Sequence, residues 1–117
     1  MKINVVKNVL AANDRIAMEN RALFDKKRLY VINLMSSPGA GKTSLVEATI
    51  EALKDSYRIG VIEGDTQDTY DADRIARLNI PVVQINTGGG CHLDGNMIRE
   101  ALSSLDLNKL DLMIVEN

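Results

Sequence analysis

The sequence predicts an α/β fold: a mostly parallel sheet with helices packed against it, preceded by a helix at the N-terminus. Three observations carry this. Short apolar runs of strand length alternate with stretches of helical periodicity along the chain. The runs are continuous rather than alternating, as in strands covered on both faces. The glycine-rich and acidic segments fall directly after the apolar runs, where parallel sheets place their ligands.

Residues 3–24 carry Ile3, Val6, Leu10, Ala17 and Leu23 at mostly helical spacing, which predicts an amphipathic helix. "LYVINLM" (29–35) is the first strand; "SSPGAGK" follows it, then a helix through "TSLVEATIEALKDS" (43–56). "YRIGVIEG" (57–64) is the second strand, and "DADRIARLN" (71–79) has helical spacing through Ile75 and Leu78. "IPVVQINT" (80–87) is a third strand, with Pro81 at its start, where a missing N–H is tolerated. "NMIREALSSL" (96–105) reads as a helix and "LDLMIVE" (110–116) as a fourth strand. Strands alternating with helices imply right-handed crossovers.

The chain has 117 residues, one domain's worth, with no repeat, low-complexity tract or linker to divide it. Fourteen basic residues against sixteen acidic ones leave a net charge of −2. That balance argues against nucleic-acid or membrane-surface binding, both of which call for a basic patch. A single cysteine forms no internal disulfide, which fits a reducing, cytoplasmic setting. The N-terminal "MKINVVKNVLAANDRIAMEN" lacks the apolar core of a signal peptide, and no run approaches the roughly 20 apolar residues of a membrane helix. Because "LDLMIVEN" (110–117) stops where a functional loop is due, residues 1–117 are expected to be the N-terminal portion of a longer single domain.

"MSSPGAGKTSL" (35–45) carries the strongest chemical signal. The phosphate-loop pattern is G-x-x-x-x-G-K-[ST]. Gly41, Lys42 and Thr43 match its end, while Ser36 stands at the first glycine position. Gly39 and Gly41 let the backbone N–H groups turn inward around an anion, with Ala40 between them and Ser44 opening the helix behind. Lys42 can reach the β- and γ-phosphates, and the Thr43 hydroxyl can bind Mg²⁺. A glycine-rich turn could imitate the motif, but this one lies between a predicted strand and a predicted helix, the context that confirms it. The segment is a nucleoside triphosphate site on a three-layer P-loop NTPase fold.

Phosphate-bound Mg²⁺ needs one or two protein carboxylates. Glu63 and Asp65 end the second strand, and Asp65, past Gly64 and free to turn, is the better candidate. Asp68, Asp71 and Asp73 read as capping or solvated residues. Glu116 ends the fourth apolar strand, where P-loop proteins carry a second acidic residue acting on Mg²⁺ or its water; a solvent-facing strand end is the alternative.

"TGGGCHLDGN" (87–96) places the only cysteine beside the only histidine. Cys91 alone would usually be a small buried hydrophobe and His92 a surface residue. The preceding glycines at 88–90 give the backbone freedom to converge both side chains on one ion. Ions such as Zn²⁺ take four N/S ligands, of which one chain supplies two and a two-fold dimer supplies four. The pair therefore suggests a metal shared between subunits. A catalytic Cys-His dyad is disfavoured, because adjacent residues are poorly placed for proton transfer between them.

Together "SSPGAGKTSL", "VIEGDTQDTYDADRI", "INTGGGCHLD" and "DLMIVEN" resemble the HypB family of hydrogenase maturation GTPases over nearly the whole chain, with "GGGCHLD" the most specific part. The resemblance implies a slow cytosolic GTPase whose nucleotide-dependent homodimer passes nickel to a hydrogenase large subunit with an accessory protein. By motif it implies phosphate binding by Gly39, Ala40, Gly41, Lys42, Thr43 and Ser44. Thr43 and Asp65 would serve Mg²⁺, and Lys42, Asp65 and Glu116 would act in GTP hydrolysis. Cys91 and His92 would bind Ni²⁺ or Zn²⁺ at the dimer interface. The family continues past Asn117 with another cysteine ligand and a guanine-reading segment. A urease accessory GTPase, which has a proline between its Cys and His, and a small P-loop kinase are the rival readings.

Overall fold

In the computed structural model, residues 2–35, 41–64, 70–86 and 94–116 are described. A four-stranded, wholly parallel sheet has the order β1-β4-β2-β3, with β1 Tyr30–Leu34, β2 Ile59–Glu63, β3 Val82–Gln84 and β4 Leu112–Glu116. Every residue of the central strands β2 and β4 is buried, whereas β1 and β3 are only partly covered. This explains the unbroken apolar runs at 59–62 and 112–115: strands between two helical layers have no wet face.

Two cores lie on opposite sides of the sheet. On one, α1 (Lys2–Lys27) and α4 (Gly95–Leu102) bring Leu23, Phe24, Ala101 and Leu102 onto Ile62, Met113 and Val115. On the other, α2 (Lys42–Leu53) and α3 (Tyr70–Ala76) bring Val46, Ile50 and Ile75 onto Ile59, Val61, Leu112 and Ile114. The result is helix, sheet, helix: the three-layer arrangement expected.

Element boundaries moved by a few residues, each for a local reason. Helix α1 runs to Lys27, where Lys26 and Lys27 complement the negative end of the helix dipole. Arg28 then adopts a left-handed φ of 54°, and the Leu29 N–H closes back on the Phe24 carbonyl at 2.9 Å, a glycine-type stop made without glycine. Helix α4 begins at Gly95, because the Asp94 carboxylate caps it by accepting from the Met97 N–H at 2.8 Å. A short 3₁₀ turn, Leu107–Lys109, was not expected; Asp106 nucleates it by accepting from the Asn108 N–H at 3.2 Å.

Helix α1 is tied to α4 by polar groups as well as by packing. The Asn20 amide, 6% exposed, donates to the Gly95 carbonyl at 2.9 Å, and the Gly95 N–H donates to Asn13 Oδ1 at 2.9 Å. A Cβ at Gly95 would stand 3.2 Å from the Ala17 backbone nitrogen, so glycine permits this close approach.

Candidate functional site

Side chains alternate across a strand, so strand-end residues inherit a face from the residues two and four before them. In β4, Leu112 and Ile114 face the α2 layer, and Glu116 follows them to that side. In β2, Ile59 and Val61 do the same for Glu63. The two glutamates are register partners on the last rung shared by β2 and β4, and are 2% and 1% exposed.

Strand order then decides what they meet. Because β4 lies beside β1, Glu116 stands next to the strand that feeds the phosphate-loop segment, with Leu34 as its partner there. Gly41 adopts φ 87°, a left-handed conformation available cheaply only to glycine, and caps α2. That turn starts the helix at Lys42 and drives Lys42 and Thr43 inward, to 8% and 7% exposure. The Thr43 hydroxyl donates to Glu116 Oε1 at 2.7 Å, while Glu116 Oε2 is buried without a hydrogen-bond partner among the described residues. So Glu116 is not the solvent-facing strand end that was the alternative.

Of the residues singled out from the sequence, Gly41, Lys42, Thr43, Ser44 and Glu116 gather at this end of the sheet. Gly39, Ala40, Asp65, Cys91 and His92 lie outside the described residues, as does Asp68. Asp73 is exposed on α3. Among the described residues no group of three or more His, Cys, Asp or Glu side chains could hold a metal.

Two features of the site carry little signal in the sequence. Glu63, the less favoured candidate beside Asp65, ends its apolar strand just as Glu116 ends "LDLMIVE", and it is buried. Arg74 belongs to the helical stretch "DADRIARLN"; its guanidinium pairs with Glu47 and lies 3.5 Å from the Ser44 hydroxyl. No local signal announced that contact, since it depends on how α3 lies on α2.

The profile of the CobW/HypB/UreG nucleotide-binding domain matches residues 30–117. The chain belongs to this family. Among curated relatives of this CobW/HypB/UreG member, the hydrogenase maturation factor HypB of Azotobacter vinelandii is 50% identical over 98% of the chain. HypB of Escherichia coli K12 is 47% identical over 94% of it. The chain spans 38% of the length of each. A solved structure of HypB from Helicobacter pylori in complex with nickel superposes with a TM-score of 0.81 at 41% identity, covering 90% of this chain and 50% of that one. HypB from Archaeoglobus fulgidus gives 0.81 at 36% identity, over 92% and 52%. The fold of this CobW/HypB/UreG domain is thus the α/β P-loop fold. Among its described residues no helix is long and apolar enough to cross a membrane.

Proposed function

We propose that this chain is the nucleotide-binding part of a nickel-handling GTPase that serves hydrogenase maturation. The observation that carries the proposal is the buried Thr43–Glu116 hydrogen bond, which joins the first turn after Gly41 to an acidic strand end, in a chain half identical to a HypB protein. In this reading Gly39, Ala40, Gly41, Lys42, Thr43 and Ser44 hold the phosphates. The Lys42 ammonium, fixed at the start of α2, compensates charge on the β- and γ-phosphates.

Mg²⁺ would be held by Thr43 and Asp65, with Glu116 behind Thr43. The described residues fit such an ion: hydroxyl and carboxylate oxygens are its preferred donors, and Glu116 Oε2 is a buried acceptor lacking a hydrogen-bond donor. Bound there, the ion would neutralise phosphate charge. Glu116 orients the Thr43 hydroxyl, and Asp65 and Glu116 together would govern the attacking water.

Cys91 and His92 are proposed to bind Ni²⁺ or Zn²⁺ across a nucleotide-dependent homodimer, as cargo for an accessory protein and a hydrogenase large subunit. The relatives' names support the nickel and hydrogenase parts of this reading, and the adjacency of the two residues supports a shared ion. A metal count per dimer with GTP bound tests it. Cys91→Ala is expected to lower Ni²⁺ or Zn²⁺ stoichiometry while GTP hydrolysis persists. An unchanged metal count would refute the shared site, and absence of GTP turnover in the unaltered protein would refute the GTPase.

A further inference from the structure

We infer that Arg74 is a second cation of the phosphate site, held beside the first turn of α2 by Glu47. This rests on the nucleotide-binding reading above and adds to it a residue from a different helix.

The placement starts from helix spacing. Ser44 and Glu47 are three residues apart, so they share one face of α2, one turn behind Gly41. The first turn of α2 holds no acidic residue, as suits a helix end that receives an anion; Glu47 is the first carboxylate along the helix. From α3, Arg74 Nη2 donates to Glu47 Oε1 and lies 3.5 Å from Ser44 Oγ, so one guanidinium nitrogen reaches both side chains of that face, Ser44 being the nearer to the N-terminus of α2. Both side chains are under one-third exposed, at 27% and 30%, so the pair is only partly screened by water.

A guanidinium offers five N–H donors in a fixed fork. A phosphate oxygen arriving over Ser44 would take up one of these donors, by exchange where that donor already has an acceptor, while the bond to Glu47 holds the group in place. Lys42, at the very start of the helix, would meet the phosphate chain from the β/γ side, and Arg74 from the side of Ser44. Glu47 has two effects in this scheme: it positions the guanidinium and it partly cancels its charge.

The competing explanation is a tie between α2 and α3 with no part in binding. The two explanations differ on Glu47→Gln. Glutamine keeps the length and an acceptor oxygen, so the guanidinium stays in place, but the negative charge beside the anion site is gone. A phosphate-side cation then binds more strongly, whereas a mere tie is weakened.

Calorimetric titration of the protein and its variants with GTP and with GDP, in Mg²⁺, decides between them, alongside a thermal melt of each. Arg74→Ala is expected to weaken both nucleotides about five- to tenfold, and Arg74→Lys to recover part of that loss. Glu47→Gln is expected to tighten both by about twofold or more. The inference is overturned if Arg74→Ala binds as the unaltered protein does. It is equally overturned if Glu47→Gln weakens binding in step with a lowered melting temperature. Failure of the unaltered protein to bind either nucleotide would instead overturn the nucleotide-binding reading, and this inference with it.

Discussion

Thr43 and Glu116 stand 73 residues apart in the chain, yet the Thr43 hydroxyl donates to the Glu116 carboxylate across 2.7 Å, buried at the carboxyl end of the sheet. This bond gives one residue two duties. The hydroxyl satisfies a desolvated carboxylate oxygen, and it is the group proposed to meet Mg²⁺. Thr43→Val keeps the shape and removes the donor, leaving Glu116 Oε1 unsatisfied. It is expected to cost about 1–3 kcal/mol in urea denaturation. It should also remove the Mg²⁺-dependent part of nucleotide affinity, while Thr43→Ser retains both. A Thr43→Val protein of unchanged stability would show that the bond contributes nothing.

Lys42 opens α2 immediately after the left-handed Gly41, with its side chain largely buried. Lys42→Ala is expected to abolish triphosphate binding, a loss of roughly a hundredfold or more, because a charge-assisted contact in a partly dry site is removed. Calorimetric titration checks it, with circular dichroism showing that the fold persists. Unchanged affinity would sink the phosphate-loop assignment.

At the opposite end of the sheet, Asp111 accepts from the Arg58 backbone N–H at 2.8 Å and from Arg58 Nη2 at 3.0 Å. The hydrogen bonds from the Arg58 side chain, and then from its backbone, hold the Asp111 carboxyl below its ordinary value, and the same pairing raises the guanidinium. A carboxyl depressed in the folded state stabilises the fold above its unfolded value, about 3.9, and loses that contribution as pH falls through the folded value. Asp111→Asn should therefore be less stable than the unaltered protein at neutral pH. The two denaturation midpoints should converge in acid below the ordinary carboxylate range. Parallel curves at every pH would contradict this.

The bracket of Asn13 and Asn20 around Gly95 makes a further prediction. Asn20→Ala removes a buried donor to the Gly95 carbonyl and is expected to destabilise the protein by about 1–2 kcal/mol, read as a lower urea midpoint with an unchanged slope. If the midpoint does not move, the Asn20 bond contributes nothing to docking α1 on α4.

The strands and helices were legible because their signals are local. The apolar run at 112–115 needs both faces covered, and the helices on the two sides of the sheet cover them. Asp94 and Asp106 show what is harder: each shifts or creates a helical turn through one side-chain cap, which apolar periodicity does not register. In the site, Lys42 and Thr43 were legible from the motif. Glu116 was legible as a strand end, but its orientation was not. Two further facts settle it: its parity with Leu112 and Ile114, and the insertion of β4 next to β1. Strand order is a property of the whole chain, and so is the contact between Arg74 and Glu47.

The order β1-β4-β2-β3 also bears on how the protein is made. One of the two inner strands, β4, is the last of the four in sequence, and Tyr30 must wait for Leu112, its partner in the ladder. As the chain leaves the ribosome, β1 has no neighbour, and β2 can pair only with β3. Loop-closure entropy and high contact order make such a pairing slow. Residues 112–116 join β1 to the β2–β3 pair, since β4 is hydrogen-bonded to both β1 and β2. Pairing of β4 with β1 and β2 also brings Glu116 to Thr43, so the Thr43–Glu116 contact needs all three strands in place.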